Sequence, residues 1–501
     1  MTAATYDLGK LHGGLRLPGH KNLSTATPIR NVPIPAQQIL PVTQHVGDPA
    51  QPVVGIGDHV LRGQLVADPG GTLGAPVHAS SSGTVIAIEP WPVTHRHGAP
   101  APCIIIECDG DDRPIVQTTG DLTDSTPDAL LSQILRGGIV GLGGAVFPTA
   151  QKLMQARTGN LECLILNGVE CEPYISCDDM LMRECAAQVV GGAQVLMHAL
   201  QIATCFVVVE SDKPEALESL AGALGELSDE RIILKQVPTI YPSGGEDQLV
   251  QLVTNREVPS GGLPTDVGCL VQNVGTAAAV YDWIINGEPL ISRVTTVTGD
   301  GIVNPMNVRA RIGTTVGDVV AFTGGYAECA EHLIIGGPLT GKSMSTDRVP
   351  VVKATNSILA VLKSSFEGRE LPCIRCGDCA SVCPVQLLPQ QLFWHACADN
   401  EARLRDFGLT DCIECGCCDL VCPSHIPLTA SFRIAKGRIQ ELADETARAE
   451  RARRRFEARN DRLEREKLQR DRELTQQKEA AKRAGPAAIA EILKRKQREN
   501  D

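Results

Sequence analysis

The chain has 501 residues, 43% of them apolar, enough to bury several cores, and this predicts three or four domains. A formal charge of −12 argues against nucleic acid as a partner, because phosphate recognition requires a basic surface. No stretch approaches the roughly 20 consecutive apolar residues that cross a bilayer, so any membrane association must come through a partner.

Nineteen cysteines would suit a secreted disulfide scaffold only in a much shorter chain, and residues 1–14 lack the apolar run of a signal peptide. A reducing compartment is therefore expected. After a Pro-rich opening (Pro28, Pro33, Pro35, Pro41), residues 45–110 alternate short apolar runs with turn residues, which predicts small antiparallel β-structure. The pattern resembles the flattened sandwich of lipoyl and biotinyl carriers, but no lysine lies between Lys21 and Lys152. The carrier function is thereby excluded, leaving a packing or docking module.

A helix is predicted over 126–136, with Thr126 as its N-cap and Pro127 in its first turn. Five glycines in the eight residues 137–144 then precede a second helix opened by Pro148, with Lys152 one turn in. Such a loop exposes backbone N–H groups at a positive helix end where phosphate binds. It can equally be a tight turn, and it lacks the preceding strand of a dinucleotide fingerprint. The run CLIL predicts a strand delivering Asn167, Glu170 and Glu172 at its C-terminal end, where open α/β sheets place ligands. Strands at 204–211 and 231–238, separated by a helical PEALESLAGALGEL, complete the alternation of an α/β domain. YPSGGEDQLVQLV (241–253) again enters a helix from a glycine turn, and Glu246 near its start also suits the helix dipole.

The strongest signal is a pair of C-x2-C-x2-C-x3-C-P blocks, CIRCGDCASVCP at 373–384 and CIECGCCDLVCP at 412–423. Three cysteines in seven residues suit a four-iron cubane, whereas structural zinc pairs two short knuckles across a longer gap. By the crossing rule of two-cluster ferredoxins, Cys373, Cys376 and Cys379 share a cluster with Cys422, and Cys412, Cys415 and Cys418 with Cys383. Cys417 is left over, either as a free thiol or as a substitute for Cys418, with the register of the first block favouring Cys418. From 433 to 484 the chain is a run of Arg, Glu, Lys and Ala, read as a long solvated helix with i,i+4 ion pairs. It has no sustained a/d seam, which favours a partner-docking arm over a coiled coil. The stretch after Gly485 is either a separate short helix or disordered.

Taken in order, GLGGAVFPTAQK, LNGVECEP, YPSGGE and LPTDVGCLVQNVGT resemble the flavin- and NADH-binding motifs of the flavoprotein subunit of respiratory complex I. With two ferredoxin blocks and a lipoyl-like front, the chain resembles the RnfC family of the ion-translocating Rnf electron-transport complex over roughly residues 10–430. The resemblance implies an α/β flavoprotein core with an N-terminal lipoyl-like β-sandwich, a β-grasp (SLBB-like) module, a two-cluster ferredoxin α-helical domain and a long charged C-terminal helix. The corresponding divisions are 1–120, 121–290, 291–345, 346–432 and 433–501. Residues 294–325 resemble the β-grasp module, and their apolar alternation supports strands.

The resemblance also implies noncovalent FMN held by Gly141, Gly143, Gly144, Lys152, Asn167 and Asn273. NAD(H) would stack over it, with Phe147 facing the adenine. Glu170, Glu172, Tyr241 and Glu246, with the turn residues Gly244 and Gly245, would surround the nicotinamide and ribose. Leu142 stands where complex I relatives carry arginine, and Val169 where they carry aspartate. Two [4Fe–4S] clusters would pass electrons between NAD(H), FMN and ferredoxin in a membrane-bound, ion-translocating complex. Its integral-membrane and ferredoxin-like subunits are the expected partners, and the chain would be peripheral on the cytoplasmic face of the bacterial inner membrane. The alternatives are a cluster-bearing relay without a working nicotinamide site, and a diaphorase subunit of a soluble hydrogenase or formate dehydrogenase.

Overall fold

The apolar runs CLIL, CFVVV and CLV are expected to be buried on both faces, and they become the centre of a parallel sheet. In a computed structural model that describes residues 9–94, 98–116, 125–328, 330–362 and 368–498, the strands Cys163–Gly168, Cys205–Glu210, Ile232–Val237 and Cys269–Asn273 form this sheet. The strand order is third, second, first, fourth. Leu164, Leu166, Val207 and Val209 pack on the helices Ala186–Leu200 and Val274–Asn286. Ile165, Val208 and Val271 pack on Glu246–Thr254 across the other face. The first two helices cross closely because Gly192 lies against Ala277, where a Cβ would stand 2.0 Å from the Ala277 carbonyl oxygen. The chain winds outward over three strands and then returns to the far side of the first. The order therefore reverses between Cys163–Gly168 and Cys269–Asn273, with Asn167 opposite Asn273 in register.

Residues 37–94 and 98–108 form the expected sandwich. Gln37–Pro41, Pro100–Cys108, Gly83–Pro92 and His59–Val60 make one antiparallel sheet, facing a second of Gln51–Pro52, Leu65–Asp68 and Val77–His78. Leu40, Val60, Val66, Val85 and Ile104 fill the space between. The turn leading from Leu65–Asp68 to Val77–His78 is docked on the α/β domain. The Gly74 carbonyl accepts from Gln151 Nε2 at 2.9 Å, and the Val46 N–H donates to the Val146 carbonyl at 3.2 Å.

The β-grasp sheet is larger than the sequence suggests. It runs Arg30–Asn31, Met306–Arg311, Ser292–Thr298, Ser357–Val361, His332–Ile335, Lys342–Met344, with helix Val316–Phe322 capped by Thr315. Ser357–Val361 lies inside this sheet, parallel to Ser292–Thr298, so the sheet extends past the expected limit at 345. Its parallel partner is remote in sequence, and no local turn signal marks that pairing. Arg30–Asn31 joins the other edge from the N-terminal segment.

The chain divides into two compact units, 1–432 and 433–501. The helix Leu428–Arg498 carries the second, with exposed i,i+4 pairs such as Arg453–Glu457 at 2.9 Å. Its helical course breaks at Gly485 (φ 72°), followed by Pro486, and a further helical stretch continues to 498.

Lys353, 1% exposed, joins three parts of the first unit. Its Nζ donates to the Pro76 carbonyl (2.8 Å) in the sandwich and the Gly138 carbonyl (2.7 Å) in the α/β domain. Two carbonyls match the two N–H groups of a neutral amine, and burial pushes the Lys353 ammonium down to about 7. An unfolded lysine titrates near about 10.4. Between those values the unfolded chain holds a proton that the folded chain lacks, so this group makes stability rise with pH. Denaturant unfolding is expected to show wild type gaining about 2 kcal/mol over Lys353→Met between pH 7 and pH 9. Below about pH 6 the difference should be flat, since both states are then protonated.

Candidate redox site

The reversal of strand order opens a crevice at the C-terminal ends of two strands, the place where open α/β sheets bind ligands. Asn167 and Asn273 stand side by side there. Asn273 caps helix Val274–Asn286, its Oδ1 accepting the Gly275 N–H at 2.8 Å while its Nδ2 donates to Asp178 Oδ2 at 2.6 Å. Asn167 Nδ2 donates to the Gly244 carbonyl at 2.9 Å, and its Oδ1 accepts the Val169 N–H at 3.1 Å. Each side chain is thus fixed at one end by backbone two residues on and at the other by a distant segment.

The glycine loop closes on itself through Gly141 N–H to the Phe147 carbonyl (2.8 Å) and Val146 N–H to the Gly141 carbonyl (3.1 Å). It sits on the first turn of the capped helix, where the Leu142 N–H donates to Thr276 Oγ1 at 2.9 Å. Leu142 itself is buried, and Phe147 is half-buried. Gly144 takes φ 114° on an open side, and a Cβ at Gly143 would lie 3.4 Å from the Asn273 Cβ. Lys152 spans the crevice, donating to Glu246 Oε1 at 2.5 Å and to the Val271 carbonyl at 2.8 Å. Gly245 is the N-cap of Glu246–Thr254. The structure therefore links Asn167 to Gly244, Lys152 to Glu246 beside its N-cap Gly245, and the Gly141–Gly144 loop to Asn273 through Gly143, all near the C-terminal ends of these two strands.

Three other residues face different partners. The Glu170 carboxylate caps helix Cys177–Glu184, accepting from the N–H groups of Asp178 (2.7 Å) and Asp179 (3.1 Å). Glu172 accepts from the N–H groups of Leu339 and Thr340 and from Thr340 Oγ1, which ties the loop to the β-grasp module. Tyr241, 4% exposed, donates its hydroxyl to the Cys415 carbonyl at 2.6 Å. Burial holds the proton on that phenol, with Glu172 adding to the effect. Asp178 was not legible in the sequence, since its partner Asn273 is far along the chain. Its carboxyl is pushed up to about 7, first by burial and then by Glu170.

The cysteine blocks repeat in backbone as well as in sequence. Arg375 and Glu414 are both left-handed (φ 60° and 56°), as are Gly377 and Gly416 (89° and 76°) and Gln386 and His425 (54° and 50°). Each member lies at the same offset as Cys373 from Cys412. One cavity is lined by Cys373, Cys376, Cys379 and Cys422, and a second by Cys412, Cys415, Cys418 and Cys383. The Leu387 N–H points at Cys383 Sγ at 3.3 Å. Cys417 also borders the second cavity, and its thiol is hydrogen-bonded to Cys415, which holds the proton on Cys417 and lowers the Cys415 thiol.

Among the described residues, the one group of three or more potential metal-ligating atoms lying within 4.8 Å of one another is Glu170, Cys177 and Asp178. The cage cysteines are spread more widely than that. A tetrahedral zinc–thiolate site needs sulfurs about 3.8 Å apart, whereas a cubane separates them further.

A glycine loop on an α/β sheet, followed by a doubled cysteine cage, is the arrangement expected of a redox protein. Residues 134–282 match the model of the Nuo51 FMN-binding domain, residues 9–111 the RnfC barrel sandwich hybrid domain and residues 294–345 the SLBB domain. The chain belongs to the RnfC family, whose members are subunits of the ion-translocating oxidoreductase complex. It is 48% identical to the Pseudomonas aeruginosa member over 91% of this chain and 59% of that one. It is 45% identical to that of Cronobacter sakazakii (92% and 59%) and 44% identical to that of Citrobacter koseri (95% and 67%). The chain thus spans about three fifths of the length of the first of these relatives. An NAD+-reducing [NiFe]-hydrogenase structure aligns with a TM-score of 0.44 at 19% identity, covering 56% of this chain and 54% of the other.

The crossed ligation has a direct check. Cys422→Ser is expected to remove the signal of the cage at 373–379, and Cys383→Ser that of the cage at 412–418. Each variant should keep about half of the roughly eight irons expected for two cubanes, as read by iron analysis and electron paramagnetic resonance.

Proposed function

We propose that this chain passes electrons between NAD(H), noncovalent FMN and two [4Fe–4S] clusters, within a membrane-bound complex that couples this flow to ion translocation. The observation that carries the reading is the hydrogen bond from Tyr241 to the Cys415 carbonyl, which joins the crevice to the second cysteine cage. FMN, when bound, supplies the exchange between a hydride pair and single electrons, which iron–sulfur clusters require.

The residues present fit that group. The exposed glycines Gly143 and Gly144 lie at the positive N-terminus of Val274–Asn286, Lys152 keeps a third N–H beyond those given to Glu246 and Val271, and Asn167 stands opposite Asn273, a setting that suits a phosphate. The first cysteine loop is the outer one, with Ile374 and Cys376 exposed, while Cys417 and Cys418 of the second are buried. Electrons would then pass between crevice and surface through the 412–418 cage first. No helix among the described residues is long and apolar enough to cross a membrane, so the ion path would lie in partner subunits, and the chain would dock peripherally on the cytoplasmic face.

A second reading, a relay without a working nicotinamide site, is favoured by one observation: the Glu170 and Glu172 carboxylates already hold backbone partners. Adding NADH under anaerobic conditions to the flavin- and iron-loaded chain separates the two. Bleaching of the flavin absorbance followed by cluster reduction is expected; a flavin that dithionite reduces but NADH does not would establish the relay.

A further inference from the structure

Residues 9–24 lie outside the sandwich as a strap across the redox core. The Gly9 N–H donates to the Leu252 carbonyl, the Gly14 N–H to the Val382 carbonyl beside Cys383, and Leu15 pairs with Tyr241 in both directions. Farther along, the Gly19 carbonyl accepts from the Tyr174 N–H at 2.7 Å, and His20 stacks on the Tyr174 ring at 4.7 Å. At its end, Ser24 Oγ meets Ser176 Oγ at 2.7 Å, and Asn307 Nδ2 donates to both the Ser24 carbonyl and Ser176 Oγ.

Between these anchors, Lys21 Nζ donates to three backbone carbonyls: Glu170 at 2.6 Å, Glu172 at 3.2 Å and Ile175 at 2.5 Å. Three acceptors around one nitrogen match the three donors of an ammonium group. The loop they belong to contains two left-handed non-glycine residues, Glu170 (φ 45°) and Tyr174 (φ 68°), a conformation that persists only where surroundings enforce it. Its carbonyls converge, and without a cation between them their dipoles oppose one another. These three hydrogen bonds all go to the loop backbone, and the Lys21 charge also favours the ionised forms of Asp178 and Glu210 nearby.

We propose that Lys21 is a positioning residue for the nucleotide site, holding the 170–175 loop in the shape that sets Cys171 against the Gly244 turn while Glu170 and Glu172 brace the loop on its two sides. This rests on the reading of the crevice as an NAD(H) site. The strap would act through the loop's backbone and touch neither cofactor nor substrate. The loop's own carboxylates, Glu170 and Glu172, fix its two sides through backbone N–H groups, and the strap gathers the carbonyls they leave, from a distant part of the chain.

The test uses the full chain, purified anaerobically with flavin and iron in place. Lys21→Met is expected to raise the NADH concentration for half-maximal flavin bleaching about tenfold, the loss of one charge-assisted hydrogen bond's worth of positioning. The limiting rate, flavin content and dithionite-reduced cluster signal should change less than about twofold. Hydrogen exchange at amides 170–176 should accelerate, while exchange in the sandwich does not. Lys21→Gln, which keeps two N–H donors without the charge, serves where the methionine variant does not accumulate. A half-saturation within twofold of wild type overturns the proposal, whatever the exchange shows. If NADH fails to bleach even the wild-type flavin, the functional reading falls instead, and unchanged exchange at 170–176 in the variant then overturns the role of Lys21 separately.

Discussion

Everything at the crevice depends on one pairing, the parallel alignment of Cys163–Gly168 with Cys269–Asn273. Those strands meet across most of the domain's sequence, so the pairing closes a long stretch of chain and carries the entropic cost of a non-local contact. It sets Asn167 beside Asn273, and through them the Gly244 turn, Asp178 and the glycine loop take their positions. A slip of one residue would exchange the faces of the strand and move Leu164 and Leu166 away from the helices that bury them. The register that buries the core is therefore the register that assembles the site.

A second theme is the use of long basic side chains to gather backbone carbonyls where segments meet. Lys353 joins Pro76 to Gly138, Arg293 donates to the carbonyls of Lys353 and Leu142, Lys235 to that of Val253, and Lys21 to three carbonyls of one loop. A buried carbonyl without a donor is costly, and irregular segments at domain junctions have no ladder to supply one. A long side chain reaches across the junction and satisfies several carbonyls at once. Lys213 departs from this pattern, forming a fully buried ion pair with Glu210 within one domain, next to Ser243 of the glycine turn.

The parts legible in the sequence are those written in local pattern. Apolar runs gave the parallel strands, Thr126 with Pro127 gave the helix start, and the cysteine spacing gave two cages whose backbone turns repeat. The parts that were not legible depend on contacts between distant segments. The strap at 9–24 has neither period nor capping signal, and its meaning lies in carbonyls some 150 residues away. Ser357–Val361 pairs with the nearby His332–Ile335 but also runs parallel to Ser292–Thr298, a strand far back in the sequence. Glu170, Glu172 and Tyr241 stood in motifs that pointed to a nucleotide, but motif membership does not say which way a side chain turns. In this structure two cap backbone and one reaches Cys415.

The cysteine repeat also separates what spacing decides from what surroundings decide. Both loops share a backbone path, yet Arg375 in the first lies over the Trp394 ring, while the matching position in the second is Glu414. The first loop is open to solvent. The second lies against Leu339, whose own N–H is held by Glu172, and carries the Cys417 thiol beside Cys415. With clusters in both cages, identical ligands would experience opposite local charge and different exposure, two of the levers that set a cluster's potential. Gene duplication of a loop would give two equal centres; it is the side chains at the matched left-handed positions, and the domain against which only one loop packs, that make them unequal.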